Sequence, residues 1–159
     1  MDALQAVPQT ICTTKAGTSA GTTTTLTTAN TQLFCLIGKA FSKAAAANEA
    51  TPTLDSATGV AFVGITVNNG AVIVFCRDSA GALRAVQGPV SALDVGGSFI
   101  MAAQFGAIPD TLCPFAYLVL KVGSTGATWT LGTSNLSAAT GVTYSFVDLM
   151  TLPGRPQIA

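Results

Sequence analysis

Along most of this chain apolar and polar residues alternate with the two-residue period of half-buried strands, and one stretch is apolar at every position. Residues 115–122, FAYLVLKV, place aliphatic or aromatic side chains on both faces, with Lys121 the single interruption. A strand that is apolar on both faces must be covered on both, which predicts the centre of a sheet or sandwich. Gly123-Ser124-Thr125-Gly126 predicts a tight reversal. Residues 127–131 then alternate, with Ala127, Trp129 and Leu131 on one side and Thr128 and Thr130 on the other. The pattern predicts a central hairpin that carries the only tryptophan.

The rest of the chain divides into shorter segments of the same kind. A threonine run at 21–28 predicts an exposed strand, and apolar residues 33–37 a buried partner, turned through Ala29-Asn30-Thr31. Residues 60–67 and 71–76 flank Asn68-Asn69-Gly70, a strong hairpin signal, with Val63, Ile65 and Val67 sharing one face. Asp78-Ser79-Ala80-Gly81 predicts a second reversal into 82–86. Residues 99–105 predict a further strand, and 142–149 another with Val142, Tyr144 and Phe146 on one face. Four consecutive alanines make 40–50 the one place for a helix, stopped by Pro52, with an extended loop as the alternative. About eight or nine short strands imply an all-β, antiparallel β-sandwich or barrel-like (jelly-roll-type) fold. The domain spans 21–152, between an unpatterned arm at 1–20 and a tail at 153–159.

Composition changes the picture in one respect. Charged residues make up 9% of the 159, against about 25% in ordinary soluble domains. Seven acidic and seven basic side chains cancel, so nothing electrostatic points to nucleic acid or an anionic membrane. A surface so poor in charge fits a β-rich protein faced with threonine or, in the preferred reading, one covered by partners in an assembly. Residues 56–76 are uncharged and long enough to span a bilayer, but Asn68-Asn69-Gly70 interrupts them at the centre. The first ten residues lack the basic and apolar regions of a secretory signal, so synthesis in a cytoplasm is expected. Cys12, Cys35, Cys76 and Cys113 form no Cys-x-x-Cys pair and no histidine accompanies them. Free thiols are expected, with Cys35 and Cys76 serving as small core hydrophobes, and no zinc site.

Without histidine, neither a Ser-His-Asp nor a Cys-His constellation can be assembled from this chain. The aspartates fall mostly in turns, where the side chain caps its own backbone. No catalytic, cofactor-binding or metal-binding residue is assigned, no cofactor is expected, and the chain is not read as an enzyme. Gly38-Lys39 imitates the end of a phosphate loop, but Leu33 and Ala40 stand where glycine and Ser/Thr are required. Tyr117, Trp129 and Tyr144 could form a sugar platform; at strand period such residues more often belong to a core.

Residues 108–136, IPDTLCPFAYLVLKVGSTGATWTLGTSNL, and 141–157, GVTYSFVDLMTLPGRPQ, resemble small virion proteins encoded near the capsid genes of tailed bacteriophages. Residues 37–59, IGKAFSKAAAANEATPTLDSATG, share that character, so the resemblance runs from about Thr22 to the end. It implies an all-β capsid cement or decoration protein on the outer surface of the virion, made in the bacterial host cytoplasm. Its partners would be the major capsid protein and itself, as dimer or trimer, with no nucleic acid and no membrane. The arm 1–20, a strand at 22–28 on the sheet edge, and the tail 152–159 would carry the contacts. The alternative is a receptor- or glycan-binding fibre subunit of the virion, reading sugar through surface aromatics.

Overall fold

Burial on both faces of two adjacent strands sets the architecture. The computed structural model describes residues 10–156. Its strands are β1 Ile11–Cys12, β2 Thr18–Ala20, β3 Thr25–Ile37, β4 Lys39–Ala50, β5 Asn69–Arg77, β6 Leu83–Gln87, β7 Ser91–Ala92, β8 Cys113–Val122 and β9 Val142–Asp148. β5 and β8 pair antiparallel, and residues 71–77 and 112–120 are buried without exception. β6 and β7 flank β5 and β9 flanks β8, which completes a five-stranded sheet. The second sheet holds β3 at its centre, with β4 on one edge and β1 and β2 on the other. The result is an antiparallel β-sandwich. Its strands are sorted by chain order, the first four in one sheet and the last five in the other, rather than interleaved between the sheets.

The two faces of the central pair belong to different cores. Ala71, Ile73 and Phe75 of β5 and Phe115, Leu118 and Leu120 of β8 pack between the sheets, against Leu26, Leu33 and Cys35 of β3. Val72, Val74 and Cys76, with Tyr117 and Val119, face away and form a second core with Ala103, Leu112 and Leu149. A register shift after Phe75 lets Phe115 and Ala116 both join the inter-sheet core. Among the described residues no strand of another sheet covers the second core. The irregular segment 99–112 does, supplying Phe99, Phe105 and Ile108. Gly88 admits it, because a Cβ there would stand 2.1 Å from the Gln104 carbonyl oxygen.

Several expectations hold. Residues 115–122 lie in the central strand, Asp78–Gly81 turns the chain from β5 into β6, and β9 directs Val142, Tyr144 and Phe146 toward the inter-sheet core. All four cysteines are free and buried.

Others need correction. Residues 127–131 do not return along β8, whose neighbours are β5 and β9. Gly126 N–H does close a turn on the Gly123 carbonyl, but the chain then leaves the sheet, and Trp129 makes an isolated bridge with Ile65. The stretch 40–50 is neither helix nor loop but strand β4. It carries no apolar stripe that a helix could bury, whereas β3 offers it a full ladder. The threonine run and residues 33–37 form one continuous strand, β3, which absorbs Ala29-Asn30-Thr31 as an irregularity in register with β4. Its turn is at Gly38, where φ is 67°. Residues 60–67 form no strand, and of Val63, Ile65 and Val67 only Ile65 is buried. Asn69 N–H closes a turn on Thr66, yet Asn69 and Gly70 already belong to β5. Residues 99–105 are likewise not a strand. Part of the supposed arm is structural: β1 and β2 are stitched to β3, and Cys12 and Ala16 are buried. Residues 1–9 and 157–159 lie outside the described residues.

One ion pair ties the sheets together. Arg77, at the end of β5, is fully buried and donates two hydrogen bonds of 2.7 Å to the Glu49 carboxylate on β4. Its guanidinium also lies 5.2 Å from the centre of the Phe115 ring. Replacing Glu49 by alanine leaves a cation in the core without its counter-charge, a loss of about 3–5 kcal/mol. Urea unfolding should show that loss for Glu49→Ala, with partial recovery in Glu49→Ala/Arg77→Met. Equal stability of Glu49→Ala and wild type would show that the pair does not join the sheets.

Trp129 is buried in the inter-sheet core, and its indole N–H donates to the Asn135 carbonyl at 2.9 Å. Trp129→Ala should cost about 3–5 kcal/mol through the cavity it leaves. Native fluorescence should be blue-shifted and resistant to iodide. A red-shifted, readily quenched emission would contradict the burial.

Candidate assembly surface

The carboxylates are occupied by the backbone. Asp55 accepts from the N–H groups of Ala57 and Gln87, at 2.7 and 2.8 Å. Asp94 accepts from Gly96 and Ser98, at 2.9 and 2.8 Å. Asp148 holds the N–H groups of Gly17 and Thr18, at 2.9 and 3.0 Å, so the start of β2 is moored to the end of β9. Asp78 accepts from Ala80 and Ala82 and pairs with Arg84 at 2.9 Å. Burial works against its ionisation, but the Ala82 N–H, Arg84 and the Ala80 N–H outweigh it and hold its carboxyl below the usual range. Asp55, Asp78 and Asp94 close turns, as their positions in the sequence predict, whereas Asp148 lies in a strand and joins it to β2. Asn135, within an N-x-S spelling, accepts likewise from Ser137 and Ala138.

The aromatic residues considered for sugar binding belong to the cores. Tyr117 and Trp129 are buried, and Tyr144 is half-buried, edge-on to Phe146. They form no shared exposed platform.

Large apolar side chains are exposed in three places. The first is a hairpin tip. Leu93 bridges Phe99, Asp94 N–H donates to the Ser98 carbonyl at 2.8 Å, and Gly97 takes a φ of 77°. The Phe99 ring anchors this tip against Gly70, where a Cβ would stand 2.8 Å from ring atoms, and Lys121 lies over the ring. The tightened loop holds Val95 entirely in solvent, with Ile100 and Met101 exposed just beyond. A rigid support presenting bare hydrophobes is how a contact surface is built.

Leu54, Val60 and Val63 make the second group, beside a groove of about 340 Å³ lined by Phe62, Pro89 and Val90. Gln87 fixes this segment by donating from Nε2 to the Val63 carbonyl at 3.0 Å. The third is the outer face of the four-stranded sheet. Phe34 and Leu36 of β3 stand opposite Ser42 and Ala40 of β4 along a shallow groove of about 500 Å³. Among the described residues, β4 pairs with no strand except β3, so its outer edge is open.

The segments expected to carry contacts fare differently. Residues 22–28 run into β3, the centre of its sheet rather than an edge. The described part of 1–20 is built into that sheet. Of the tail, Leu152 is exposed and Pro156 buried. The sequence pattern puts Val63 and residues 99–105 in strands, where apolar residues read as interior, and gives no sign that Leu54, Val60 or Val95 is exposed. The glycines at 96–97 between Asp94 and Ser98 were the available sign of a turn.

Among the described residues no helix is long and apolar enough to cross a membrane. Comparison with protein families, with curated proteins and with solved structures finds no match for this chain.

Proposed function

We propose that this chain is a structural subunit that binds an assembled protein lattice, as a cement or decoration protein of a bacteriophage capsid binds the major capsid protein. The observation that carries the reading is the surface. Eleven large hydrophobic side chains are exposed among the described residues, concentrated in the three groups above and near Met150 and Leu152. The whole chain has only fourteen charged residues, seven of each sign, and several of those are committed to turns or to the buried pair. Such a surface gains little from ion pairs, which are weak when exposed and screened by salt. It gains from area: about 25 cal/mol for each Å² of apolar surface removed from water, before association costs. Five of the six described acids, Glu49, Asp55, Asp78, Asp94 and Asp148, are placed as turn-closing or strand-joining groups, which supports a structural role over a catalytic one.

In this reading the protein is made in the bacterial cytoplasm and sits on the outer capsid surface. Self-association as a dimer or trimer would multiply modest contacts on a repeating lattice through effective concentration. The resemblance of residues 108–136 and 141–157 to small virion proteins is the ground for naming a capsid rather than another lattice.

The test is sedimentation with capsids assembled without this chain, across a salt series. Binding should persist to near-molar salt. Val95→Asp/Met101→Asp should weaken it about tenfold or more, since each burial is worth about 1.5–3 kcal/mol. The variant's tryptophan emission should match wild type, because both positions lie outside the cores. Release by modest salt, or undiminished binding of the variant, would overturn the mechanism; no binding to capsids would overturn the function.

A further inference from the structure

Three of the four cysteines, distant in sequence, meet in the inter-sheet core. Cys12 comes from β1, Cys35 from β3 and Cys113 from β8, and all three are buried. Cys35 is the middle member, near enough to Cys113 and Cys12 for both to act on its thiol, while the Cys12 thiol itself donates to the Thr14 carbonyl at 3.0 Å. Cys12 and Cys35 are also direct cross-strand partners. Thr13 N–H donates to the Phe34 carbonyl at 2.9 Å, whereas Cys12 N–H turns away from β3 to the Met150 carbonyl at 3.2 Å. The Cys12/Cys35 pair therefore occupies a non-hydrogen-bonded site of the ladder, where side chains approach most closely. Cα atoms at such a site are about 4.5 Å apart, at the short end of the roughly 4.4–6.8 Å that a disulfide spans.

We infer that Cys12 and Cys35 form a modification site: a reversible disulfide, made on exposure to a hydroperoxide, that staples β1 to β3 and leaves Cys113 reduced. Among the described residues no group of three or more Cys, Asp or Glu is placed to hold a metal ion, so the chemistry of the cluster is that of sulfur with sulfur. The Cys35 thiol beside Cys12 holds the Cys12 pKa down to about 7 against the cost of burial. Its contacts with Cys113 and Cys12, and its own burial, push Cys35 up. Cys113 is lowered as well, so position decides the roles: Cys12 lies on the short strand that opens to solvent and is the nucleophile, and Cys35, its direct cross-strand partner, is the thiol in reach to resolve it.

The Cys12 thiolate attacks one peroxide oxygen. A sulfur–oxygen bond forms, the oxygen–oxygen bond breaks, and the departing oxygen takes up the proton that Cys12 had released, leaving as water. The Cys35 sulfur then attacks the Cys12 sulfenic acid. The sulfur–sulfur bond forms and the sulfur–oxygen bond breaks, and a second water leaves with the Cys35 proton. Two thiols are oxidised by two electrons and one hydroperoxide is reduced. Access comes by opening β1, a two-residue strand at a sheet margin, the kind of element that unfolds locally at low cost.

The experiment treats the full-length protein, purified under reductant, with hydrogen peroxide. Alkylation, trypsin digestion and mass spectrometry without reductant then follow. Cleavage after Lys15, Lys39, Lys43, Arg77, Arg84 and Lys121 puts each cysteine on its own peptide. The expected result is one cross-linked species joining the Cys12 and Cys35 peptides, with Cys76 and Cys113 alkylated, reversed by dithiothreitol. Cys35→Ala should abolish the cross-link, whereas Cys113→Ala should retain it, with native tryptophan emission confirming the fold of each. A Cys35–Cys113 cross-link, over-oxidised Cys12 without a cross-link, or four alkylated cysteines after peroxide would each overturn the inference. The wild-type map decides even if a variant fails to fold.

Discussion

The rest of the structure depends on the pairing of β5 with β8, two strands with no solvent face. Strands of this kind cannot stand alone, because each face needs its own apolar cover. One cover is the four-stranded sheet built from residues 11–50. The other is the irregular segment 99–112, which packs Phe99, Phe105 and Ile108 on the far side without adding a strand. Arg77 emerges from β5 where the first cover meets it, and its buried pair with Glu49 ties β4 to the central strands. The contact costs desolvation, which an apolar pair would avoid. What it supplies is a directional link between otherwise smooth, interchangeable apolar faces.

At least half of the fourteen charges are committed to contacts within the chain. Glu49 answers Arg77, Asp78 answers Arg84, and Asp55, Asp94 and Asp148 answer backbone N–H groups. What faces outward is mostly threonine, serine, alanine and the exposed valines, isoleucine, leucines and methionines. The same economy that closes the turns thus leaves a surface suited to area-driven contact. Rigid presentation of Val95 by the Asp94–Ser98 turn shows the two properties meeting in one loop: the carboxylate that could have solubilised the tip is used to tighten it.

Strong local patterns were legible in the sequence, and partners were not. Residues 115–122 announced a doubly buried strand because every position is apolar, and Val142, Tyr144 and Phe146 announced one inward face. Nothing local says that β8 lies between β5 and β9, so the glycine turn at 123–126 was read as a hairpin that the chain does not make. The alanines of β4 favour helix by propensity, but they offer no stripe to bury, and ladder bonds to β3 decide the outcome. Asn68-Asn69-Gly70 does sit at a turn, yet Gly70 is needed inside β5 to let the Phe99 ring approach. The turn-closing aspartates were legible from position. The exposed apolar tip was not, since periodicity distinguishes one face from another but not protein from solvent. The thiol cluster depends on the register of β1 with β3 and on the packing of β8 across the sheets, which no spacing of Cys12, Cys35 and Cys113 discloses.

Hydrogen exchange, followed peptide by peptide for the protein free and bound to capsids, tests the account most directly. In both states the slowest amides should be those of β5 and β8, the pair that everything else covers. Binding should add protection at residues 93–104 and leave the central pair unchanged. Exchange at 93–104 that is identical in the free and bound protein would contradict the claim that this apolar surface is what the protein uses.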